Sequence, residues 1–288
     1  MQHNSKIIAS RGLFTGCMLF LLVMAPIYGQ AQQKDSTAAL KQFMDVCNSY
    51  KQVPLHAGIT VRTNADIVTS PDDTTHYTIE FYIHNNDAYV KLNGEEEVIN
   101  DSLMLFISHK LKSMTLYPNT TGHVAAQLSS FTGMLLQDSA ITKMAGRYQA
   151  DILPGKASAP GTAIIQVKNR LLVPGTSLPK ETIEVVYNSN TRQPVSLVQL
   201  QRKMIPLDSA TYTAMVQKAM YPGKLIHIAK DYYFLMKELS TEYLFTHIDY
   251  DATTQLPLQM NQCVAKDRQG KYVAADGYRM YRFSDEMR

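Results

Sequence analysis

Tryptophan is absent from this 288-residue chain, and cysteine occurs only three times. So few cysteines exclude the disulfide-dense scaffolds that stand in for a core in small secreted domains. Cys17 falls in the first apolar run, which leaves Cys47 and Cys263. Neither has a nearby second Cys or His at zinc-site spacing, so no metal centre is expected. In an oxidising compartment the two could pair; otherwise they stand as separate buried thiols, and composition leaves both readings open. Charge is also sparse, at 18% of residues, with no long run of one sign. A nucleic-acid binder carries a basic footprint that is missing here. A polybasic membrane-surface segment is missing too. After the N-terminal run no segment nears the roughly 20 apolar residues of a spanning helix, so no transmembrane span is expected in the mature chain. The catalytic signatures Gly-x-Ser-x-Gly and His-Glu-x-x-His and a phosphate-binding Gly-rich loop are absent as well. The expectation is a protein that is not an enzyme and uses no cofactor.

What is present starts at the N-terminus. Lys6 and Arg11 precede an uncharged run from Leu13 to Tyr28, and Gly29-Gln30-Ala31 offers small residues at the positions a signal peptidase reads. Residues 1–31 are therefore predicted to be a signal peptide, with a retained anchor as the alternative. Leu13 to Cys17 superficially matches a lipoprotein cleavage box. Cleavage there would leave the apolar Met18 to Met24 run at the mature N-terminus, where a polar tether belongs, so that reading is rejected. Removing Lys6 and Arg11 lowers the basic count from 28 to 26, against 25 acidic residues. Residues 32–288 suit a single β-rich domain with chain enough for a real core.

Leu40, Phe43, Met44 and Cys47 recur at helical spacing after Asp35-Ser36-Thr37, which offers N-cap chemistry; Pro54 disfavours continuation beyond Tyr50. From Leu55 the period changes to two. Tyr77, Ile79, Phe81 and Ile83 alternate with Thr78, Glu80 and Tyr82, as in a strand with one apolar face. Asn93-Gly94 is the strongest hairpin signal. Leu103 to Ser108 and Ser113 to Tyr117 continue a meander of short strands. Val124, Leu128, Phe131 and Leu135 return to helical spacing, so a helical insert is expected near 119–149. Strands resume at Ala163–Leu172, Glu181–Tyr187 and Val195–Lys203. Asp208 or Ser209 caps a further helix, ended by Pro222-Gly223. The last stretch reads as strands at Leu225–Lys230, Tyr232–Met236, Tyr243–Tyr250, Leu256–Lys266 and Lys271–Phe283. Tyr187 to Val195 aligns without a gap with Tyr250 to Leu258, which suggests two similar hairpin turns. The class is mainly β with a few helices.

Polar candidates are few. His247 and Asp249 share a strand face, and His227 with Asp231 is a looser pair; exposed strand polars are the simpler account of both. Glu95-Glu96-Glu97 reads as a solvated hairpin tip. Asn119-Thr120-Thr121 fits a glycosylation sequon.

Tyr233 to Met236, the strand to Tyr250, the Asp251 to Leu258 turn and strand start, and the Lys266 to Lys271 turn before a final strand together resemble the outer-membrane lipoprotein carrier and its lipoprotein-receptor relatives. The layout resembles that family over residues 35–285, and the local pattern over 233–283. The resemblance implies a curved antiparallel sheet, an open half-barrel covered by helices, that carries acyl chains in its hollow. On that reading Tyr77, Ile79, Phe81, Ile83, Leu103, Leu105 and Ile107 are the ligand-facing candidates, with an ordinary filled core the simpler account of each. The function expected is an exported, periplasmic or secreted carrier, peripheral at the outer membrane if attached at all. It would bind a lipid or lipidated protein without covalent chemistry. The alternative is a structural or interaction module of a cell-envelope complex, with its core filled by its own side chains.

Overall fold

Residues that alternate apolar and polar at period two put one side on each face of a pleated strand, and most of this chain alternates in that way. The computed structural model describes residues 33–48, 54–120, 144–155, 159–251 and 253–287. Helix α1 (Gln33–Cys47) is followed by β1 (Leu55–Ala65), β2 (Thr74–His84), β3 (Asp87–Leu92), β4 (Glu95–Ile99), β5 (Leu103–Ser108) and β6 (Ser113–Pro118). Next come β7 (Tyr148–Pro154), β8 (Thr162–Asn169), β9 (Glu181–Asn188) and β10 (Pro194–Leu207). Helix α2 (Ser209–Gln217), β11 (Leu225–Ile228) and β12 (Tyr232–Asp249) follow. The chain closes with α3 (Met260–Cys263), β13 (Val264–Lys266), β14 (Tyr272–Ala274) and β15 (Arg282–Asp285).

Thirteen strands form one sheet in the order β15-β6-β5-β4-β3-β2-β1-β12-β10-β9-β8-β7, with β11 also paired to β12; β13 and β14 make a separate hairpin. The sheet is large, curved and open rather than closed into a barrel, as expected for the class. Strands β1 and β12 join its two halves at the centre. Strands β6 and β7 stand near opposite edges, so the chain between them links the two sides. A helical turn at 144–147 precedes β7. Residues 121–143, the bulk of the predicted insert, and the predicted signal peptide lie outside the described residues. Among the described residues no helix is long and apolar enough to cross a membrane.

Several sequence expectations change. The segments Tyr232–Met236 and Tyr243–Tyr250 belong to one 18-residue strand, β12. The polar stretch between them does not break it, because ion pairs satisfy its charges. Lys237 Nζ lies 2.5 Å from Asp73 and 2.6 Å from Thr69 Oγ1, and Glu238 accepts from Arg202 at 2.8 Å and Lys224 at 3.0 Å. Lys237, then the N–H groups of Thr69 and Ser70, hold the Asp73 carboxyl well below the usual carboxylate range. The second change concerns the paired turns. Tyr187 to Val195 does form the β9–β10 hairpin. After Asp249, however, the chain leaves the sheet, and Pro257-Leu258 leads into α3 rather than a strand. The Asn93-Gly94 turn is as read: both residues have positive φ, 50° and 85°, as a tight hairpin turn requires.

Cross-strand partners share a face, so the register fixes the two sides of the sheet. Leu40, Phe43, Met44 and Val46 of α1 pack on Ala150, Ile165, Val167, Val185 and Tyr187. Ser36 lies inside the helix rather than capping it, and its Oγ accepts the Ala150 N–H at 2.9 Å. From Val185 the same face continues through Leu197, Tyr243 and Val61 to Tyr77. We call this the α1 face. The C-terminal segment covers the opposite face at the other half of the sheet. There Met260, Cys263 and Val264 pack on Tyr89, Val98, Leu105, Ile107 and Leu116. Tyr89 Oη donates to Glu96 at 2.8 Å, and His109 joins Glu96 at 3.0 Å to Tyr281 Oη at 2.6 Å, which pins this layer down. Cys47 sits in the α1 cluster and Cys263 under the C-terminal layer, on opposite faces. Both are free, so the disulfide option is corrected to two separate thiols. Burial pushes them up to about 12 and about 11.

Candidate functional site

The seven apolar candidates do not lie together. Tyr77, Ile79, Phe81 and Ile83 stand on the α1 face, opposite Val61, Ile59, Ala57 and Leu55. Leu103, Leu105 and Ile107 stand on the other face, opposite Pro118, Leu116 and Met114. Those three are nearly inaccessible, at 6%, 0% and 1%, and pack in the cluster sealed by the C-terminal layer. They are core, so the ligand-facing set divides. The reason is a parity change: each of the three turns between β2 and β5 shifts which positions face α1, and a list drawn from alternation within each strand cannot see that.

The α1 face has a different texture at its centre. Phe245, Ile59, Ile79 and Leu92 are direct cross-strand partners on β12, β1, β2 and β3, and form one continuous apolar row. All four are half-buried. At the usual strand spacing the row is about 14 Å wide. The neighbouring row runs Ala57, Phe81, Val90, Glu97, Phe106. Phe81 is half-buried and Phe106 is 41% exposed. Sealed clusters flank the rows: α1 on β7–β9, and Leu55, Ala57, Ile83, Ala88 and Ile99 near the ends of β1–β4. Ile83 belongs to this second cluster and is buried at 4%.

Glu97 is not part of the solvated tip that its sequence context implies. Glu95 is exposed and Glu96 pairs with His109, but Glu97 is 7% exposed on the α1 face between Val90 and Phe106. Burial alone pushes its carboxyl up to about 7. Its position was readable in principle, because Glu97 and Ile99 share parity on β4. Ile59, Leu92 and Phe245 were missed for another reason: each has an ordinary apolar neighbourhood, and only the register aligns them.

His247 and Asp249 do share a face, yet His247 bonds to His56 rather than to Asp249. His227 stacks on Tyr233 at 4.7 Å with Tyr212 beside it, and so is an aromatic packing element. A pocket of about 240 Å³ lies elsewhere, between the β3–β4 ends and the C-terminal layer, lined by Asp87, Ile99, Asn100, Leu256, Gln259 and Met260. That is below the roughly 300–1,000 Å³ of ordinary ligand sites, and half its lining is polar. The α1-face rows are the better candidate for an apolar ligand.

No family model and no curated protein matches the chain. Among solved structures it is similar to a LolA-superfamily protein from Nitrosomonas europaea, with 8% identity over 77% of this chain and 95% of that one, at a TM-score of 0.26. It is similar also to an outer membrane lipoprotein-sorting protein domain from Vibrio parahaemolyticus, with 9% identity over 78% of this chain and 95% of that one, at a TM-score of 0.24.

Proposed function

We propose that this chain is an exported carrier-like protein that holds an acyl chain of a lipid or lipidated protein against the α1 face of its sheet, without covalent chemistry. The carrying observation is the row Phe245, Ile59, Ile79 and Leu92, apolar across four strands and only half-buried. Each methylene taken from water onto such a surface gains about 0.8 kcal/mol. A sixteen-carbon tail then gains on the order of 10 kcal/mol gross, before the ordering costs of binding. Ile79 and Phe81 form the floor of the site, Tyr77 lies beside them, and Ile83 belongs to its sealed end. The compartment is periplasmic or secreted.

A fluorescent fatty-acyl probe titrated into the mature protein tests this. Ile79→Glu puts a charge in the middle of the row and should weaken the probe at least tenfold. Leu111→Glu, at a position 73% exposed, should leave it unchanged. Absence of binding to the wild-type protein, or equal binding by Ile79→Glu, would overturn the reading.

The second reading is an interaction module of an envelope complex. It is favoured by edge strand β7, which exposes Ile152 at 47% and Leu153 at 38% at the end of the sheet. An open strand edge with apolar side chains can accept a partner strand.

A further inference from the structure

On the face away from α1, at the β1–β12 junction, two imidazoles meet. His56 Nε2 and His247 Nε2 are 2.9 Å apart. The sequence separates them by 191 residues, so the fold creates the pair. Three features build it. The β1–β12 register shifts between Gly58 and Ile59, so Thr246 is an extra residue on β12 and His247 is re-aimed. Gly58 leaves the space in which the His247 ring lies, and a Cβ there would come within 2.6 Å of the ring carbon Cε1. Tyr82 stacks under His56 at 3.9 Å and 18°, which holds that ring in orientation. His247 Nδ1 lies 3.3 Å from Thr246 Oγ1; an Nδ1–H donated there leaves the Nε2 lone pair free for another partner.

Two acidic side chains share this surface. Asp249 is the cross-strand partner of His56, and Glu80 is the partner of Gly58. As the side chains are oriented, no three His, Cys, Asp or Glu groups among the described residues surround a single point. The geometry is that of a two-imidazole pair with two carboxylates on the same face, one of which, Asp249, accepts the Asp251 N–H through Oδ1 at 3.1 Å.

We propose that His56 and His247 bind a divalent transition-metal ion through their Nε2 atoms, with Asp249 or Glu80 supplying an oxygen and water the remaining position. Imidazole suits zinc and copper, and not calcium or magnesium. A tetrahedral ion with metal–nitrogen bonds of about 2.0–2.1 Å spaces its ligands about 3.3 Å apart, so the rings need to part by only a few tenths of an ångström. The ion takes the place of the proton now shared between the two rings, and that proton moves to the Nδ1 of the same imidazole through solvent. Burial, and then His247, lower the His56 pKa. Glu80 and Asp249 act in the opposite sense; Tyr82 under His56, Tyr89 beside Tyr82 and Lys91 opposite Glu80 share this face.

Isothermal titration of Zn²⁺ into the mature protein at pH 7.5 tests the site, with histidine ring resonances read in parallel. The expected result is one ion per chain that shifts the resonances of His56 and His247 together. His247→Gln and His56→Gln should each weaken binding at least tenfold, and Ca²⁺ should not compete. Affinity should fall as the pH drops from 7.5 to 5.5, because protons compete with the metal for imidazole nitrogen. Circular dichroism of the two variants shows whether they remain folded. No Zn²⁺ binding by the wild type, or undiminished binding by both folded variants, would contradict the proposal.

Discussion

Leu105→Ala should lower the unfolding free energy by about 2–5 kcal/mol and leave acyl-probe affinity unchanged. The size follows from burial. Leu105 is wholly inaccessible and sits among Leu103, Ile107, Leu116 and the C-terminal residues Met260 and Cys263. Truncation removes three carbons from a close-packed interior and leaves a cavity that its neighbours only partly refill. The unchanged affinity follows from register. Leu105 pairs with Val98 and Leu116, one position out of step with the Glu97–Phe106 pair that faces α1. Chemical denaturation and probe titration on the same variant separate the two effects. A large loss of affinity with little loss of stability would place the ligand on the C-terminal side of the sheet and reverse the assignment of faces.

Glu97→Gln should raise stability at alkaline pH and have little effect in acid. The Glu97 carboxyl ionises near 4.5 when free in solution and at about 7 in the folded protein, because burial disfavours the charged form. Between those values the folded state holds a proton that the unfolded state has lost. Stability from this group is therefore complete below pH 4.5 and declines as pH rises through 7. The gap from 4.5 to about 7 corresponds to about 3 kcal/mol. Glutamine keeps the shape and cannot ionise. At pH 8 the variant should be more stable by about 2–3 kcal/mol, a Tm rise of about 4–12 °C. At pH 4.5 the two proteins should melt within about 2 °C of each other. Thermal melts at both pH values decide it, and an equal or lower Tm for Glu97→Gln at pH 8 would show that the carboxyl is solvated. The Lys237–Asp73 pair has the opposite sign, because Asp73 is depressed. Its contribution is present at neutral pH and is lost as pH falls below the ordinary aspartate range.

Alternation in β2, the Asn93-Gly94 turn and the helical stripe of Leu40, Phe43 and Met44 were legible because each is local. Period, turn chemistry and capping act over fewer than ten residues. Asp208 is an example: its carboxylate accepts the Thr211 N–H at 2.8 Å at the start of α2, as the sequence suggested. The length of β12 was hidden, because Lys237 and Glu238 look like loop residues until Asp73, Arg202 and Lys224 are brought to them from distant positions. The division of the apolar candidates between two faces was hidden in the same way. Parity within a strand is visible in sequence, but parity between β2 and β5 depends on three intervening turns. The His56–His247 pair depends on a bulge and a glycine gap, and neither leaves a sequence signature beyond a single Gly58.

Photolabelling with a diazirine-bearing fatty acid, followed by peptide mass spectrometry, tests the central claim most directly. The account predicts adducts in β1, β2, β3 and β12, at or beside Ile59, Ile79, Phe81, Leu92 and Phe245, that an excess of unlabelled fatty acid competes away. Labelling confined to the C-terminal layer around Leu256 and Met260, or labelling that no competitor reduces, would contradict it.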